Sequence, residues 1–203
     1  MENLVEEIIV IEWEFSVQSK NYSCMCQGGK EMYAIVRSNI LTTWCDKLQK
    51  SYYQDLCNAK VEGRNPMEEK YEYILERTNP EAYEKRKGNL PERSLEKEWL
   101  MNWISESLVL WQEELEKDYP HLIGPKNAIR KNADNQTFTS FETMLWGELA
   151  TYSVPTLRLY AAYVEHLQKS RNNLNRLILE NAVARYGYTS LVDAEHVLER
   201  NQH

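Results

Sequence analysis

The stretch NPMEEKYEYILE, residues 65–76, decides the fold. The Asn65 side chain supplies the oxygen that the first free N–H groups of a helix need, and Pro66 brings a fixed φ and no donor of its own. Glu68 stands where it can complete a reciprocal cap. The device recurs in NPEAYEKRKG at Asn79-Pro80, where Gly88 closes a short helix, although the two starts are not a sequence repeat. Ser94 and Ser153 offer further caps, the second with Pro155 in the first turn. A chain of 203 residues with only 7 Gly and 6 Pro, 42% hydrophobic and 27% charged, favours helix over strand and turn. The expectation is all-α: one bundle of about seven or eight helices over residues 1–203, with no substantial sheet, divisible at most into lobes at 1–90 and 91–203.

Working outward, residues 3–17 place Val5, Ile8, Ile9 and Phe15 on one face. Ile11, Trp13, Phe15 and Val17 also alternate as a strand would, and the glutamates decide for helix. After Gly28-Gly29, apolar positions from Tyr33 through Leu41, Trp44, Leu48 and Tyr52 to Leu56 predict one amphipathic helix of about thirty residues, stopping near Glu62-Gly63. A further helix runs from Ser94 to just before Tyr119-Pro120, and its Trp99, Trp103 and Trp111 read as core. Residues 120–136 form the chief irregular stretch. Thr139 and Glu142 read as a capping box, and the last helix starts at Thr189 or Ser190.

A net charge of -7 with no Lys/Arg run argues against nucleic acid and anionic lipid. The acidic N-terminus and the lack of an apolar run near ~18 residues argue against a secretory leader or membrane span, and for a cytoplasmic protein. The four cysteines then read as reduced thiols. Cys45 and Cys57 are twelve residues apart on one predicted helix, hence ~18 Å, too far to share a zinc ion with Cys24 and Cys26. In CMCQGGK, residues 24–30, the Walker spacing fails, which leaves a turn, with a loop thiolate at Cys26 beside a helix start as a candidate nucleophile. Scattered histidines and the lack of a dinucleotide or hydrolase motif imply no metal and no cofactor.

Charge on faces that should be apolar is the informative signal. Arg37 lies in the stripe of Tyr33, Ile40 and Trp44, Glu12 follows Val5 and Ile8, and Glu148 sits between Leu145 and Tyr152. Buried charges cost several kcal/mol unless paired, so these groups should meet. Two readings stay open. One is an ion-pair network that fixes helix register. The other is a pocket walled by Trp13, Trp44, Trp146 and Tyr152, in which Arg37 holds an anionic group and Glu148 or Glu12 exchanges protons, with Cys26 an outside nucleophile. Arg64, in EGRNP before a helix start, is either a solvated or capping side chain or a second contact to the anion. The competing class is a non-catalytic module that docks partner helices on an exposed aromatic face.

The order Glu12-Trp13, Cys26-Gln27, Arg37-Ser38, GRN at 63–65, EKY at 69–71, TSFET at 139–143, GELATYS at 147–153, LRLY at 157–160 and YGY at 186–188 resembles a bacterial family, common in anaerobes, catalogued as domain of unknown function 4125. The resemblance implies a helical fold over nearly the whole chain. Members sometimes follow tetratricopeptide repeats, absent here, which implies an assembly partner. The resemblance brings no activity and adds weight to Glu12, Arg37, Arg64 and Glu148.

Overall fold

Asn65 does what the opening stretch demands: its side-chain oxygen accepts from the N–H groups of Met67 and Glu68, starting a helix at Pro66. Its amide donates to the Phe15 carbonyl, so one side chain caps a helix and ties it to the first. The structure, a computed structural model, describes residues 2–19, 28–124, 128–135 and 138–201. Among these residues there are eleven α-helices and no strand, more helices than the seven or eight expected.

The first four helices are α1 (Glu2–Gln18), α2 (Gly29–Leu41), α3 (Asp46–Glu62) and α4 (Pro66–Thr78). The single long helix expected from Tyr33 to Leu56 is thus two. Thr42 and Thr43 turn their hydroxyls onto the carbonyls of Ser38 and Ile40, and Gln49 donates to the carbonyls of Leu41 and Trp44. Backbone donors still reach three of those carbonyls, Thr42 N–H to Ser38, Thr43 N–H to Ile40 and Trp44 N–H to Leu41, but the last two bonds span only three residues, so the turn tightens and the side chains add second donors where the axis changes. α3 closes at Gly63, whose φ of 69° is the left-handed cap that glycine adopts without strain.

Short α5 (Pro80–Arg86) starts on the Asn79 cap but ends before Gly88, which lies within a 3-10 turn, Lys87–Asn89. α6 (Leu95–Asp118) is capped by Ser94. The stretch read as irregular contains α7 (Pro120–Ile123) and a second 3-10 turn, Lys131–Ala133. α8 (Phe141–Thr151) is capped by Ser140, not Thr139, which puts Thr143 rather than Glu142 three residues after the cap; Glu142 instead accepts from the Lys131 N–H. α9 (Val154–Lys169), α10 (Leu174–Arg185) and α11 (Leu191–Asn201) complete the order.

Helices before and after residue 90 interleave. α4 lies along α8, α9 packs on α3 and α6, and α10 packs on α2 and α6, around one core that runs from Val5 to Leu174. The closest approach depends on Gly147: a Cβ there would lie 2.6 Å from Ile74 Cγ1 and 2.8 Å from the Lys70 carbonyl oxygen. A second, smaller core gathers Val183, Leu191 and Ala194 with Tyr119 and Leu122. Across it Glu195 of α11 accepts from the backbone N–H groups of His121 and Leu122 and meets His121 Nδ1 at 2.7 Å, so a carboxylate caps the start of α7. Of the tryptophans read as core on α6, Trp111 is buried, while Trp99 is 62% exposed beside exposed Leu95. No described helix is long and apolar enough to cross a membrane.

Candidate functional site

Four helices contribute one charge each to a cluster near the middle of the core. Glu12 leaves α1 on the face of Ile8 and Phe15 and is 0% exposed. Such a carboxylate is tolerated only if its lone pairs are filled. Arg37 of α2 fills two of them as a bidentate fork, Nε to Oε2 at 2.8 Å and Nη2 to Oε1 at 2.6 Å. The hydroxyl of Tyr52 on α3 donates to Oε1 at 2.7 Å, and that of Tyr33 approaches Oε2 at 3.4 Å. Arg37 Nη1 then reaches Glu148 of α8 at 3.0 Å. Glu148 also accepts from Lys70 of α4 at 2.8 Å and from the Tyr152 hydroxyl at 2.9 Å. Two carboxylates face two cations, and the net charge is zero.

The surroundings hold Glu148, Arg37 and the three tyrosines in their ordinary forms. Burial alone would lift the Glu148 carboxyl, but Lys70 and Arg37 outweigh it and hold it well below the usual carboxylate range. Burial opposes the charge on Arg37, yet Glu12 and Glu148 raise its affinity for the proton further. Burial and the Glu12 charge push the Tyr52 and Tyr33 phenols up, and burial with Glu148 does the same to Tyr152. Glu148, Arg37 and these three phenols are thus each held away from proton exchange near neutrality.

Trp44 stands against the cluster. Its ring meets those of Tyr52 at 5.5 Å, Tyr152 at 6.2 Å and Tyr160 at 5.3 Å. The same side chain lines a groove of about 630 Å³ with Val5, Glu6 and Ile9 of α1, Ala34, Ile35, Ser38 and Thr42 of α2, Asp46 and Gln49 of α3, and Arg185 of α10. Trp44 is thus the wall between a locked polar centre and an open apolar groove.

The sequence expectations divide accordingly. Glu12, Arg37 and Glu148 meet; Tyr152 and Trp44 stand beside them, and Trp13 packs on Tyr33 at 5.5 Å. Trp146 does not join this wall. Two residues from Glu148, it leaves α8 on a different side and lies under Arg77 at 4.3 Å and Arg93 at 5.7 Å. Arg64 is elsewhere too, bonded to Glu62 at 2.7 Å and Glu69 at 2.9 Å along a cleft of about 600 Å³. Near that pair Lys97 of α6 is 8% exposed, with no carboxylate within 4 Å among the described residues, and burial, only partly offset by Glu69, lowers its amine from 10.5 to about 8. Cys24 and Cys26 lie outside the described residues. Lys70, Tyr33 and Tyr52 went unnamed as site residues; the signal for Lys70 was its place three residues after Met67 and four before Ile74, both buried.

The model of a family described as protein of unknown function, DUF4125, matches residues 2–196. The chain belongs to that family. No curated protein and no solved structure matches it. Within this DUF4125 chain the match takes in all four cluster residues and every residue of the groove.

Proposed function

We propose that the chain is a binding domain for a small anionic molecule, with the Glu12–Arg37–Glu148–Lys70 cluster as its frame and the groove beside Trp44 as its receptacle. The single observation behind this is the double membership of Trp44, packed on the tyrosines of the cluster and lining the groove. Arg37 is an unsuitable anion holder, because Nε, Nη1 and Nη2 are all engaged by glutamates. A frame in which Arg37 and Glu148 keep their charges across the neutral range suits a preorganised wall better than proton transfer.

The test is a thermal-shift screen of small anionic and neutral metabolites on the wild type and on Ala34→Phe, which fills the groove. A ligand bound only by the folded state raises the melting temperature. Shifts with anions in the wild type, lost in Ala34→Phe, support the reading. Shifts that persist in Ala34→Phe but vanish in Lys70→Met move the site to the edge of the cluster, where Lys70 and Glu148 keep some solvent contact. A second reading, a docking module, draws on exposed Trp99 and the cleft between α6 and α9 that it lines with Trp103 and Ala162. A partner that binds wild type and Ala34→Phe alike, and is lost in Trp99→Ala, would favour that module.

A further inference from the structure

Arg185 differs from most of the other arginines. Eight arginines among the described residues, from Arg37 to Arg176, have a carboxylate within 4 Å. Arg185 is held by neutral oxygens instead: Nε donates to Asn39 Oδ1 at 2.7 Å and Nη2 to Ser38 Oγ at 2.8 Å. Asn39 is itself 6% exposed, and the Asn181 amide bonds both its carbonyl and Thr42 Oγ1, so α10 is stitched to α2 just where the guanidinium emerges. Side-chain entropy is spent before any ligand arrives, and among the described residues Nη1 has no hydrogen-bond partner and no carboxylate lies within 4 Å of the guanidinium. This cation lines the groove whose walls are Val5, Ile9, Ala34, Ile35 and Trp44.

We propose that the groove takes an amphipathic monoanion, an apolar body lying along Trp44 with one carboxylate or phosphate head on Nη1 of Arg185. This rests on the binding reading above and specifies its ligand. The head would gain a charge-assisted hydrogen bond to a prepositioned donor, and the body would be removed from water against indole and aliphatic groups. Glu6 and Asp46 also line the groove, and they weigh against a second negative charge at the far end of the same molecule. Selectivity for one charge over none comes from Arg185, and for one over two from the acids.

The experiment is calorimetric titration of the full chain with octanoate, octanol and suberate, repeated on Arg185→Gln and Arg185→Lys; Arg185 is exposed, so both variants should fold, which circular dichroism checks. Octanoate should bind, octanol and suberate at least about tenfold more weakly, and Arg185→Gln should lose about tenfold or more for octanoate alone, with Arg185→Lys in between. Octanol binding as tightly as octanoate, or an unchanged Arg185→Gln, overturns the role of Arg185 while leaving a binding groove. Suberate matching octanoate overturns the monoanion class. If no probe binds, the groove is not the receptacle, and both this inference and the reading beneath it fall.

Discussion

Replacing Lys97 by methionine should stabilise the protein, although it removes a charged group from a highly charged chain. Lys97 is 8% exposed and has no ion pair among the described residues, and its pKa falls from 10.5 to about 8 because burial disfavours the cation. Each tenfold loss of proton affinity is about 1.4 kcal/mol, so carrying the charge at pH 7 costs the folded state roughly 3 kcal/mol. Methionine keeps similar length and volume without the charge, and most of that cost should return as stability. For a chain of this size that is a rise in melting temperature of roughly 5–10 °C. The sign with pH is fixed. Below about 8 the amine is charged in both folded and unfolded chains and the penalty is complete; between about 8 and 10.5 the unfolded chain binds more protons, so wild-type stability rises relative to the variant; above 10.5 the difference closes. Urea unfolding of both proteins at pH 7 and above pH 10.5 reads this directly. A variant no more stable at pH 7, or a gain equal at both pH values, would refute the reasoning.

Arg37→Met leaves Glu12 sealed without its fork and should lose about 3–5 kcal/mol in urea unfolding, while Glu12→Leu combined with Arg37→Met should recover most of it. Gly147→Ala forces a methyl against Ile74 and the Lys70 carbonyl, and calorimetry should show about 1–3 kcal/mol of destabilisation, since backbone cannot yield as a side chain would. Tyr33, Tyr52 and Tyr152 have raised pKa values, so the stability they contribute is complete below the ordinary phenol range of about 10 and is lost as pH rises beyond it. In alkali, ultraviolet absorbance should show exposed tyrosines ionising first and this group only as the fold opens; a single early titration of all thirteen would contradict the buried arrangement.

The meeting of Glu12, Arg37 and Glu148 was legible because charge inside an apolar stripe has few stable outcomes. Lys70 was not, since EEKYEY reads as a solvated run unless the buried positions on either side are already known. The break between α2 and α3 escaped for a related reason. Leu41, Trp44, Leu48, Tyr52 and Leu56 are all buried and their spacing runs straight across the turn, so periodicity reports which residues face inward without reporting that the axis changes. The groove was invisible for a different one: it depends on α10 lying against α2, residues more than a hundred positions apart, and on Arg185 being held by Asn39 and Ser38, which spacing cannot express.

The Glu195 carboxylate that receives the N–H groups of His121 and Leu122 lies 74 and 73 positions further along the chain. During synthesis the first turn after Pro120 is therefore made long before the side chain that completes it. Tyr119 and Leu122, which lie in the minor core, must wait for the same late segment, so a nascent chain would carry an unfinished, sticky seam there until residues near 195 emerge.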